Sequence, residues 1–253
     1  MAGRTDASRL PFSRSPAGAD LNGTALFGRK TMVEAHGALV APRQRPRLRG
    51  VLHEAAFFVA VGVGIPLVRY ADGARATVAA GVFAGSVATM LGASALYHRV
   101  TWSARMRPWM RRLDHAGIYL LIAGTYTPVG LLALRGAMRD VVLGVVWSGA
   151  AAAIVLKFVW VSAPKWLSAV IGIALGWVGV AAMPQVARHA GAAAVALLAA
   201  GGVAYTAGAV VYARRRPDPV PAVFGYHELF HALTLVAVSC QYVAIAFFVV
   251  RVG

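Results

Sequence analysis

"YHELFHALTLVAV", residues 226–238, joins a His-Glu-x-x-His spelling to an apolar run that continues to Val250. The spelling is that of soluble zinc hydrolases, in which two histidines on one helix face hold the metal and the glutamate is the general base. The apolar run is that of a helix crossing a bilayer. The rest of the chain decides which one governs. Hydrophobic residues make up 59% of the 253 and charged residues only 13%, about half the charged share of an ordinary soluble domain. The apolar residues also come in long blocks between short basic connectors, not at the helical or strand period of a water-facing core. The sequence therefore predicts an all-α, polytopic membrane protein.

Seven candidate spans follow, at 52–68, 76–97, 115–134, 141–161, 166–187, 190–213 and 228–250, each near the ~20 residues that cross the hydrocarbon core. Lys157 lies near the end of the fourth, where its long stem would carry the ammonium out to the headgroups. Cations then set the orientation. With the N-terminus inside, the inner span ends carry Arg43, Arg45, Arg47, Arg49, Arg99, Arg105, Arg107, Arg111, Arg112, Lys157, Lys165 and Arg214 to Arg216. The outer ends carry only Arg69, Arg75, Arg135, Arg139, Arg188 and Arg251. This bias predicts a seven-helix bundle with a cytoplasmic N-terminus and a C-terminus outside.

The net charge of +16 would also suit nucleic acid. These cations flank spans, however, and no aromatic-interleaved soluble module remains to dock a strand, so no nucleic-acid partner is expected. Residues 1–50 are rich in Arg, Ser, Gly and Pro and read as a basic, disordered cytoplasmic tail, with 51–253 as the transmembrane domain. No apolar segment follows the first basic residues as it would in a signal peptide. Cys240 is the single cysteine, which excludes an internal disulfide and a thiolate zinc cluster.

An ionisable side chain inside a span costs about 2.5–3.5 kcal/mol on insertion scales, so each one is a candidate for function. His53 and Glu54 open span 1, His98 closes span 2, Asp114 and His115 open span 3, and His227, Glu228 and His231 open span 7. In the charge-derived orientation all of them sit at the cytoplasmic side. His227 and His231 are four apart and share a helix face, so two imidazoles can bind one metal, and His98 can add a third nitrogen. Three histidines without a thiolate leave a fourth position for water, as at a catalytic zinc. Zinc lowers the pKa of such a water towards ~7, and Asp114 can orient it or take its proton. The alternative for the pair alone is two hydrogen-bonded imidazoles at the interface. Ser94, one turn before His98, either bonds back to its own helix or donates to the site. A soluble-type protease is disfavoured, because no His, Asp or Glu follows His231 to complete the ligand set. Glu228 points about 100° around the helix from His227, towards the basic inner loops.

"SALYHR" at 94–99, Asp114 in "RLDHAGIYLLIAGTYTP", and "YHELFHAL" opening the last span together resemble the bacterial hemolysin III proteins. These belong with the progestin and adiponectin Q receptors and more distantly resemble the alkaline ceramidases. The resemblance covers about 50–250 and implies a seven-helix bundle with a zinc near the inner leaflet. It implies His98, His227 and His231 as zinc ligands, Asp114 beside the metal-bound water, and Ser94 as the serine of the second-span motif. "LHEAAFF" only approximates the family's first span, which leaves His53 and Glu54 without an assigned role. In "GTYTP", Pro128 should kink the third helix, with Thr127 satisfying freed backbone groups. The ceramidase relation implies hydrolysis of an amide or ester bond in a membrane lipid. The alternatives are a receptor or membrane-homeostasis protein held together by a structural zinc, and cytolysis in the literal sense.

Overall fold

The computed structural model describes residues 46–252. The expected tail, 1–50, lies outside them except for its last five residues. Helices account for nearly all of the described chain: α1 (Val51–Arg69), α2 (Gly73–Arg99), α3 (Arg107–Pro128), α4 (Gly136–Val159), α5 (Lys165–Trp177), α6 (Met183–Arg214) and α7 (Tyr226–Ala244). Among the described residues there is no strand, only an isolated bridge between Val220 and Phe224 in the loop before α7. Sequential helices pack on one another, and α7 returns to contact α1.

Among the described residues, six helical stretches are long and apolar enough to cross a membrane: Val51–Arg69, Gly73–Arg99, Arg107–Ala133, Gly136–Val159, Lys165–Arg214 and Tyr226–Val252. Together with their basic connectors they make this an integral membrane protein. The fifth stretch covers the two spans expected at 166–187 and 190–213. Its 50 residues would reach roughly 75 Å if straight, more than twice the hydrocarbon thickness of ~30 Å. It is not straight. Gly191 adopts φ 87° and ψ 165°, a conformation open in practice only to glycine, and breaks the helical run. Trp177 Nε1 then donates to Thr206 Oγ1 at 2.9 Å, so the halves on either side of Gly191 lie side by side.

Pro128 ends the regular part of α3, which continues as a wide π-helical turn over Val129–Ala133. Thr127 Oγ1 donates to the Ala123 carbonyl at 2.9 Å, the usual back-bond of a threonine to its own helix. The backbone group freed by Pro128 would be the Gly124 carbonyl, so the expected rescue by Thr127 is not what this bond does. The bundle's outer surface is apolar, with Phe58, Val155 and Val59 exposed. Trp109, Trp160 and Trp166 are exposed near the ends of α3, α4 and α5, where an amphipathic ring suits a membrane–water interface. The expectation that Lys157 reaches the headgroups is overturned: it is 2% exposed, inside the bundle. Its ammonium donates instead to Ser168 Oγ on α5.

Candidate metal centre

The start of α7 is held by its own glutamate. Glu228 Oε2 accepts the Gly225 N–H at 2.9 Å, the reach-back of a capping box, and Glu228 Oε1 pairs with Arg49. The Arg47 and Leu48 N–H groups donate to the Ala222 and Val223 carbonyls at 3.1 and 3.2 Å. The segment leading into α1 is thus tied to the loop leading into α7. Glu228 is 1% exposed and fully engaged, so the general-base role suggested by His-Glu-x-x-His does not fit its contacts. Breaking a buried pair by removing one partner costs about 3–5 kcal/mol. Glu228→Gln is accordingly expected to lower unfolding stability by roughly 3 kcal/mol while leaving metal content intact, as chemical denaturation alongside elemental analysis would measure. A stable variant that loses metal would instead make Glu228 part of the centre.

With the helix start fixed, His227 and His231 project from one face towards His98 at the end of α2. His227 Nε2 and His98 Nε2 are 3.1 Å apart, and one ligand nitrogen from each of His98, His227 and His231 lies within 4.8 Å of the others. Tetrahedral zinc with Zn–N near 2.0–2.1 Å separates its ligand nitrogens by about 3.3 Å, so the closest pair already stands near coordination spacing. The donor set also fits: three imidazoles and no thiolate. Asp114 Oδ2 on α3 stands 3.8 Å from His98 Nε2, beside the three nitrogens.

Gly50 sets how closely the chain passes the site. Its φ is +82°, and a Cβ there would meet His98 Cβ at 2.6 Å. Gly50→Ala combines a left-handed backbone cost of about 1–2 kcal/mol with displacement of the His98 stem. The expected result is a lower unfolding temperature and weaker metal binding in a titration; unchanged metal affinity would mean that His98 tolerates the shift.

His53, left without a role by the sequence, is 2% exposed. Its ring stacks on His231 with centroids 3.8 Å apart and planes 6° from parallel. Its Nδ1 bonds Ser94 Oγ at 2.8 Å, and Ser94 lies beside the Asp114 carboxyl. A chain His53–Ser94–Asp114 therefore backs the three histidines and fixes the His231 ring. The only sequence signal was position, since His53 opens its span at the same end as the other polar residues. Glu54, its neighbour, points elsewhere and accepts from Arg99 Nε at 2.6 Å.

Below the centre lies a cavity of about 180 Å³. His53, Asp114 and His231 line one end, and Val129, Leu134 and Met183 line its depth. From Asp114 to Val129 along α3 is about 22 Å of helix, so the cavity is elongated, polar at its head and mostly apolar beyond, with Thr125 and Gln241 among the few polar side chains there.

The family model for haemolysin-III related proteins matches residues 42–242. The chain belongs to that family. Membership is consistent with the wider progestin and adiponectin Q receptor group that the motifs resemble. Among haemolysin III relatives, the hemolysin-3 homolog of Bacillus subtilis (strain 168) is 29% identical over 171 residues, covering 68% of this chain and 77% of that protein. The hemolysin-3 of Bacillus cereus is 37% identical over 100 residues, covering 40% of this chain and 46% of that protein.

Proposed function

We propose that this haemolysin III protein is a zinc-dependent hydrolase of an amide or ester bond in a membrane lipid. It crosses a bacterial plasma membrane seven times, with the histidine end towards the cytoplasm and the C-terminus outside. The observation that carries the reading is the convergence of His98, His227 and His231 beside Asp114 at the head of an elongated apolar cavity. The break at Gly191 supports counting the fifth stretch as two crossings. His98, His227 and His231 would hold the ion. When bound, zinc supplies a Lewis acid for a carbonyl and lowers the pKa of a water.

The chain's own residues do the rest. Asp114 takes a proton from the attacking water and can return it to the leaving group. Ser94 keeps the Asp114 carboxyl aimed, and His53 holds both Ser94 and the His231 ring. The apolar depth takes an acyl chain and brings the head of the lipid level with the histidines, which turns encounter into positioning.

The test is turnover of lipid amides and esters by detergent-purified protein, before and after chelation and after zinc is restored. Turnover that disappears and returns with zinc supports the proposal. Chelation that lowers the unfolding temperature of a protein turning over no lipid would favour the structural-zinc reading, in which the ion ties α2 to α7. The names of the Bacillus relatives raise cytolysis as a third reading, which dye release from liposomes would reveal.

A further inference from the structure

A buried ammonium inside a membrane bundle needs an explanation, because an ionisable group there is costly unless something compensates it. Lys157 has only a hydroxyl for company: Ser168 accepts from it, and Ser168 also accepts a long hydrogen bond from Tyr119 OH at 3.4 Å through its carbonyl. Among the described residues the ion pairs are Arg49–Glu228, His98–Asp114, Arg99–Glu54 and Arg139–Asp140. None uses Lys157, Arg111 or Lys165.

The surroundings of Lys157 add positive charge rather than neutralise it. Arg111 lies within electrostatic range of it, and Lys157, Arg111 and Lys165 all act on His115. Two polar atoms of this group, Arg111 Nε and His115 Nδ1, are buried without a hydrogen-bond partner. Lys165 is occupied by the Tyr226 hydroxyl at 2.8 Å and by the faces of Tyr212 and Tyr226, so it contributes field rather than a free donor. Arg112 Nε donates to the Phe158 carbonyl at 2.9 Å, which fixes the start of α3 against the end of α4. Lys157, Ser168 and His115 all line the cavity that Asp114 and the histidines head. A mostly apolar cavity with a buried lysine on its wall, unpaired by any carboxylate among the described residues, fits an amphiphile whose head is negative.

We infer that Lys157, with Ser168 and His115 on the same cavity wall, binds the anionic group of an acyl lipid, so that the cavity takes lipids with a carboxylate or phosphate head in preference to neutral ones. This rests on the lipid reading of the cavity given above, but binding does not require turnover.

The experiment uses full-length protein in detergent and pairs of ligands with equal chains: palmitate against hexadecanol, and dipalmitoyl phosphatidic acid against dipalmitoylglycerol. Affinity is read from the ligand-dependent rise in unfolding temperature. The expected result is at least tenfold tighter binding of the charged member in one pair or both, and the pair with the larger ratio assigns the head as carboxylate or phosphate. Lys157→Met should abolish the preference and Lys157→Arg should keep it. Equal binding of charged and neutral ligands by the parent would overturn the inference, and so would a preference that survives in Lys157→Met. Should that variant fail to fold, the parent's own ratio still decides. Inorganic phosphate that binds as tightly as phosphatidic acid would mark a site for a free anion and overturn the lipid assignment. Zinc content and turnover, measured on the same preparations, separate the two readings: metal-dependent hydrolysis without charge preference removes only this subsite, and charge preference in a metal-free, inactive protein removes only the hydrolase.

Discussion

His231→Ala is expected to leave the purified protein without bound metal, and His98→Ala and His227→Ala to do the same. Removing a residue that merely supports a ligand weakens metal binding about 10–100-fold, so removing one of three direct ligands should cost more than about 100-fold and empty the site at ordinary zinc concentrations. His231 is the most sensitive position because two things depend on its ring. It supplies a nitrogen to the cluster, and it carries the stacked His53 at 3.8 Å. His53→Ala should therefore behave as a supporting change, with metal retained at high zinc and lost on dilution. His189 is the control: it sits on the α6 segment before Gly191 and bonds the Gln185 carbonyl one turn back, and its alanine variant should keep a full complement. Elemental analysis of each variant, with unfolding temperature measured alongside, gives the answer. Metal retained in full by any of the three would remove that histidine from the ligand set, and a parent that binds no zinc even when supplied with it would reduce the cluster to hydrogen-bonded imidazoles.

Much of this architecture is legible in one dimension because membrane helices announce themselves by length and hydropathy. The division at Gly191 is harder to see, since apolar residues run on both sides and the marks are few: Pro184, Gln185, Arg188, His189 and a glycine. The site is legible for the same reason that it is expensive: polar residues in spans stand out, and placing them at one depth needs only the topology. What the sequence does not reveal is lateral. Lys157 near a helix end reads as a snorkelling cation, and only the packing of α5 across it, with Ser168 facing it, encloses the ammonium. His53 gains its role from a stack against a residue 178 positions later (231 − 53), which no local pattern encodes. Glu228 is the opposite case, since helix geometry already turns it from His227 towards the basic inner residues, where it pairs with Arg49. Its motif suggests catalysis, yet the contacts that use its carboxylate are the Gly225 N–H and Arg49, one of them from a segment far away in sequence.

Asp114→Asn should reduce lipid turnover by about 10²–10⁴-fold, the usual share of a positioned general base, with zinc content unchanged. The substitution preserves shape and can still sit beside Ser94, but it removes the capacity to take a proton at neutral pH. Metal should stay because the three histidines form the cluster without the carboxylate, which stands 3.8 Å from His98 Nε2. Ser94→Ala gives the graded comparison. It releases Asp114 from His53 without removing the base, so its loss should be smaller and should fall on kcat rather than KM, since the acyl chain still fills the same cavity. If Asp114→Asn turns lipid over at the parent rate, Asp114 is not the base; with Glu228 committed to Arg49 and the helix cap, proton transfer would then have to pass directly between water and the leaving group. If the variant instead loses its zinc, Asp114 acts by holding His98 in place, and the ordering of Asp114 above Ser94 in kcat would disappear, because both would then report the same loosened metal site.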